Sequence, residues 1–151
     1  MMEFNPMKKI LLVALTGLTL IAPLAMARDD VAEFSIADAL SLEKAKTKLG
    51  TKVAFYFGDQ PYGEPTQNFG EFLTNKKTNA FGKSDLTACQ WVFLSAMISL
   101  RDRALTEGGN AVVDIKSNYK NNETSSTETF QCGAGGVIAG VALKGRVVTL
   151  N

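Results

Sequence analysis

The stretch SDLTACQWVFLSAMISLRDRALTEGGNAVVDIKSNY, residues 84–119, decides the fold. Ser84 or Asp85 supplies a helix cap, Leu86 to Leu105 is rich in good helix formers, and Gly108-Gly109 ends the run. Cys89, Val92, Phe93, Ala96, Leu100 and Ala104 recur at three- and four-residue spacings, which gives one buried stripe. Arg101, Asp102 and Glu107 fall toward a solvated last turn. Beyond the glycines the period changes. From Asn110 to Tyr119, Ala111, Val113 and Ile115 are expected on one face and Val112, Asp114 and Lys116 on the other. A long one-sided helix feeding an alternating strand predicts a helix laid on a sheet.

Working outward, Ser35-Ile36-Ala37-Asp38 has the form of a helix start, a hydroxyl followed three residues later by an acid. Ile36, Leu40, Ala45 and Leu49 are expected along one broad apolar side, with Gly50 as the stop. Val53, Phe55 and Phe57 alternate with Ala54 and Tyr56 in a strand ending at Gly58-Asp59. Pro61, Gly63 and Pro65 make the following stretch a loop. A second strand is expected from Phe69 to Thr74, with Lys76 to Gly82 as a polar connection. Asn121-Asn122 turns the chain, and Thr127 to Cys132 is read as the partner of strand 110–119. Val141 to Leu150 makes a last strand with Val141, Leu143 and Val147 on one side. The fold class is α+β: a long helix packed on a mostly antiparallel sheet with a β-α-β-β core, plus a short N-terminal helix. No repeat or linker divides residues 28–151, which read as a single α+β domain.

Residues 1–27 read as a signal peptide. Lys8 and Lys9 form a basic start, Ile10 to Leu24 is uncharged and mostly apolar, and Ala25-Met26-Ala27 offers small residues to a peptidase. Charge resumes at Arg28-Asp29-Asp30. The apolar run is shorter than the roughly 20 residues a spanning helix needs. No Cys follows the small residues, so a lipid anchor at this end is not indicated, and Met7 is an alternative start. The expected location is periplasmic or secreted, with no transmembrane segment after cleavage. Removing the leader takes Lys8, Lys9 and Glu3 from 16 basic and 15 acidic side chains, leaving 14 of each. That balance argues against general attraction to nucleic acid or anionic lipid. Lys76, Lys77 and Lys83 form a small basic cluster, read as a solvated loop in preference to a phosphate-binding patch.

Two cysteines, Cys89 and Cys132, read as one disulfide in an oxidising compartment. The two-residue repeat puts Cys132 on the face of Phe130, which the long helix should cover with its own Cys89 stripe. The alternatives are free thiols, or Cys89 as a thiolate near a helix N-terminus. There is no histidine, which removes Ser-His and Cys-His pairs, histidine metal sites and the usual base near neutral pH. No ligand spacing for zinc or calcium appears, so no metal and no cofactor is expected. Gly133-Ala134-Gly135-Gly136-Val137-Ile138 lacks the final glycine of a dinucleotide fingerprint and is followed by no Gly-Lys-Ser/Thr. It is read as a bulge or close approach in a twisted sheet, with a packing surface for another subunit or the outer membrane as the alternative. Trp91 borders the buried stripe, while Tyr56, Tyr62 and Phe69 surround the proline-rich loop with Asp59 and Glu64 beside them. Tyr56, Asp59, Tyr62 and Trp91 are the candidate binding surface; no catalytic set is assigned.

Ala96-Met97-Ile98-Ser99-Leu100-Arg101-Asp102-Arg103-Ala104 through Gly108-Gly109-Asn110-Ala111-Val112-Val113 resembles a family of short exported proteobacterial proteins that often carry the label "excinuclease ATPase subunit". Phe55 to Gln60, Thr74 to Phe81 and Gly140 to Gly145 look like the same family. The label implies a phosphate loop and nucleotide-binding domains, and the chain has neither motif. More distantly, the helix–Gly-Asn-Ala-Val-Val–strand unit is similar to the core of dodecin-like and YbjQ-like small domains and of the Rcs lipoprotein sensor. That kinship implies topology alone. The expected function is a non-catalytic binding or envelope interaction module with an envelope protein partner or a homo-oligomeric state. The alternatives are an oligomeric small-molecule binder and a thiol enzyme using Cys89.

Overall fold

The computed structural model describes residues 29–151; the expected signal peptide at 1–27 and its junction at Arg28 lie outside them. The elements run in the order β1 (Asp29–Ser35), α1 (Ile36–Ser41), α2 (Glu43–Leu49), β2 (Ala54–Phe57), β3 (Pro65–Asn79), α3 (Asp85–Glu107), β4 (Ala111–Tyr119), β5 (Asn122–Thr124), β6 (Thr129–Gly135) and β7 (Ile138–Leu150). The architecture is mixed α/β, with one long helix and two short ones on a mostly antiparallel, curled sheet.

α3 forms as its sequence dictates. The Ser84 hydroxyl accepts from the Thr87 amide at 3.1 Å, and Gly108 closes the helix in the left-handed region at φ 86°. Gly109 serves a different purpose: a Cβ there would lie 2.7 Å from Val147 Cγ1 and 2.8 Å from the Val148 carbonyl oxygen. Cys89, Val92, Phe93, Ala96, Leu100 and Ala104 are all buried. Phe93 stacks on Phe130 of β6 with ring centroids 4.0 Å apart. One turn earlier, Cys89 is bridged to Cys132, with Cα atoms 5.9 Å apart. The bridge and the stack fasten α3 to the same strand.

β7 organises the sheet. It pairs along one edge with β3, from Asn79↔Ile138 to Pro65↔Leu150. Its other edge is shared: Gly140 and Ala139 meet Gly133 and Ala134 of β6, and Leu143 to Val148 meet β4. β6 therefore neighbours β7 and β1, and the expected pairing of segment 127–132 with strand 110–119 is corrected. Where β6 leaves β7, the Gln131 amide donates instead to the Ser117 hydroxyl on β4 at 2.9 Å. That bond satisfies a backbone group the curl would otherwise orphan. β2 runs parallel to β4, and β5 closes a hairpin whose turn residues Lys120 and Asn121 both have positive φ, the signature of a tight primed turn. The turn thus sits one residue earlier than Asn121-Asn122.

Four further expectations change. The N-terminal helix is two helices, broken at Leu42, which is extended at ψ 133°. At about 100° per residue, Ile36 and Ala45 would sit on opposite sides of a continuous helix. The break lets Ile36 and Ala39 of α1 and Ala45 and Leu49 of α2 all reach the core. β3 runs through Lys76 and Lys77, where the sequence predicts a polar connection. It pairs on one edge only, and most of its side chains are exposed, so no apolar alternation betrays it. β1 is an additional strand, acidic and exposed through most of its length, held by its register with β6. In β4, Asp114 adopts φ 52° and the register with β7 shifts between Val113 and Lys116. This bulge turns Ile115 to the helix side with Val112, whereas Ala111 and Val113 face away.

Candidate functional site

The four residues singled out from sequence fall on two separate surfaces. Tyr56 ends up on the sheet face away from α3, next to a small apolar cluster of Ala111, Val113 and Val148. The loop after β2 folds back over that cluster and brings Tyr62 to Tyr56, ring centroids 5.7 Å apart. The Tyr62 hydroxyl donates to the Asp114 carboxylate at 3.1 and 3.3 Å, and Asp114 also pairs with Arg146 of β7. The β4 bulge creates this arrangement by aiming Asp114 at the loop. Burial, then the hydrogen bond and charge of Asp114, raise the Tyr62 pKa above its ordinary 10.0. A phenol held protonated in this way is no base near neutral pH. The cluster works as a latch that pins the loop, and Asp59 lies exposed at its start.

Trp91 lies on α3, across the sheet from the latch. It borders a groove of about 430 Å³ between α2 and α3, lined by Leu42, Thr87, Gln90 and Leu94 as well. Trp91 and Leu42 are each 40% exposed, so two large apolar side chains share one opening. The break before α2 presents Leu42 here, and the Lys44 ammonium caps the indole 2.8 Å from its ring centroid. Arg101 donates to the Lys48 carbonyl oxygen and ties the far end of α2 to α3.

The structure does not bring Tyr56, Asp59, Tyr62 and Trp91 into one site. Sequence reading missed Asp114, Arg146 and Lys44. Asp114 and Arg146 become partners only through the bulge, and Lys44 reaches Trp91 only because the N-terminal helix breaks. Cys89 is buried in its disulfide, so it presents no thiolate. Among the described residues no three His, Cys, Asp or Glu side chains gather as a metal site, and no helix is long and apolar enough to cross a membrane. Comparison with protein-family models, with curated proteins and with solved structures finds no match to this chain.

Proposed function

We propose that this domain is a non-catalytic binding module of the cell envelope, exported by its leader, whose recognition surface is the α2–α3 groove around Trp91. The observation that carries the reading is the exposure of Trp91 beside Leu42 over a concave, mainly apolar opening. An aromatic anchor at the edge of a preformed groove is the kind of group that dominates binding energy. Tyr56 and Tyr62, by contrast, are engaged with each other and with Asp114. The disulfide suits an oxidising compartment. The motif resemblance to short exported proteins, and the more distant one to dodecin-like cores, supports export and topology and assigns no activity.

The test is site-specific photocrosslinking in cells, with the reactive group at Gln90 in the groove or at Glu128 away from it. A discrete adduct from Gln90 that disappears with Trp91→Ser, and no adduct from Glu128, is the expected result. Equal adducts from both positions, or turnover of a substrate by purified protein, would overturn the reading.

A second reading, self-assembly, is favoured by the one-sided pairing of β3, a 15-residue edge strand carrying exposed Leu73. Native mass spectrometry separates the two, because an oligomer or a retained small molecule would displace the groove model.

A further inference from the structure

A second surface stands apart from the Trp91 groove. The loop between β3 and α3 and the hairpin between β6 and β7 meet at one end of the sheet, joined by the Ala80 amide donating to the Val137 carbonyl at 2.7 Å. This tip exposes Phe81 at 74%, Val137 at 62% and Ile138 at 53%. Contiguous apolar exposure of this kind marks a contact site. Of the lysines read from sequence as a solvated loop, Lys77 lines the same opening as Phe81, Val137 and Ile138, Lys76 precedes it on β3, and Lys83 follows Phe81 by two residues. β3 runs on past Lys76 and Lys77 to Asn79, and Lys83 is held by donating to the Asn79 carbonyl oxygen at 2.8 Å. Behind the hairpin lies a hollow of about 570 Å³ with Lys77 and Lys120 on its wall and Tyr119 and Gly136 beside them. The acids at this end are Asp85, at the start of α3, and Asp29 and Asp30, on β1 across β6 and β7 from β3.

The chain geometry adds an independent argument. β1 begins beside the same tip, since Asp29 pairs with Gly135. The apolar run Ile10 to Leu24 is joined to Asp29 by only Ala25-Met26-Ala27-Arg28. On the reading of residues 1–27 as an export leader, the uncleaved chain would be tethered at this end of β1.

We propose that the Phe81–Val137–Ile138 tip, with Lys76, Lys77 and Lys83, docks on the surface of an anionic phospholipid bilayer. The apolar side chains enter the headgroup boundary and the ammonium groups meet lipid phosphates. Stable peripheral binding takes two such signals together, a short apolar insertion and a basic patch. The tip supplies both, and this docking is independent of any occupant of the groove.

The experiment is vesicle co-sedimentation with protein purified from the periplasm, its N-terminus fixed at Arg28 by intact mass so that the leader cannot account for binding. The probes are phosphatidylglycerol-containing vesicles and pure phosphatidylcholine vesicles. Wild type should partition at least about tenfold better onto the anionic vesicles and lose that preference in high salt. Neutralising one of the three lysines should cost roughly fivefold, and Lys76→Gln, Lys77→Gln and Lys83→Gln together about a hundredfold. Phe81→Ser with Ile138→Ser should cost about tenfold. These positions are exposed, and unchanged thermal unfolding confirms that each variant folds. Trp91→Ser should bind vesicles like wild type, which separates failure of this proposal from failure of the groove. Equal binding to both vesicles, absence of binding, or tip variants that bind like wild type would each overturn it.

Discussion

The ring of Tyr119 lies so close over Gly133 that residue 133 has no room for a side chain. A Cβ at Gly133 would fall well inside contact with the Tyr119 hydroxyl and Cζ, and 2.8 Å from Cε2. At Gly140, paired with Gly133 across the hairpin, a Cβ would still meet the same ring at 3.6 Å. Gly133 and Gly140 thus make a bed for an aromatic ring, which is the close-approach reading of a segment that superficially suggests a phosphate loop.

Gly133→Ala should therefore destabilise the domain by about 1–3 kcal/mol, the range for overpacking. In a Tyr119→Ala background the same substitution should cost far less. Denaturant unfolding of the four proteins in the cycle measures the coupling. Additive effects would show that the ring is not the obstacle.

The Cys89–Cys132 bridge closes a sequence separation of 43 residues. Loop-closure entropy for that length gives about 4 kcal/mol as an upper value, so Cys89→Ser with Cys132→Ser should lose about 2–4 kcal/mol. Reduced wild type should unfold at the same denaturant concentration as the double variant. Because Phe93 and Phe130 stack beside the bridge, Phe93→Ala in the oxidised protein should cost a further 3–5 kcal/mol or so.

The Tyr62 latch predicts a pH response with a definite sign. Its pKa is raised in the folded protein, so the folded state holds the phenolic proton more tightly than the unfolded chain does. The stabilisation is complete below the ordinary tyrosine value and is lost as pH rises through the higher folded one. In a protein carrying Tyr56→Phe and Tyr119→Phe, which keeps Tyr62 as its one tyrosine, tyrosinate absorbance should appear above the ordinary 10.0. Tyr62→Phe should abolish that late step and raise amide hydrogen exchange across residues 58–64. An ordinary titration at Tyr62 would refute the latch.

Gly108 and Gly109 invite separate substitutions. Gly108→Ala places a side chain in the left-handed region with open space around it, at a cost of about 1 kcal/mol. Gly109→Ala drives a methyl into Val147 and the Val148 carbonyl and should cost more, about 1–3 kcal/mol. Thermal unfolding should rank them in that order.

α3, its caps, its buried stripe and its disulfide partner were legible because a single period and two end signals specify them. β7 was legible through Val141, Leu143 and Val147, which all reach the core. β3 was cut short because an edge strand paired on one side and bathed on most of the other needs no apolar alternation. Ile115 was put on the wrong face because the Asp114 bulge adds one residue to β4, and no local residue type announces it. The candidate site suffered most. Tyr56 and Tyr62 do meet, but their partners Asp114 and Arg146 are brought in by tertiary register, and Trp91 belongs to a different surface altogether.

The pairing of β1 with β6 imposes an order on events. A chain is made from its N-terminus, so Asp29–Ser35 exists long before Thr129–Gly135, the one strand it pairs with among the described residues. Until that late strand is made, β1 cannot dock, and neither can the cysteine partner that β6 carries for α3. A premature stop before residue 129 would therefore leave β1 without a neighbour and Cys89 reduced. The pairing of β1 is a late product of synthesis, and closure of the sheet and oxidation of the thiols wait on the same strand.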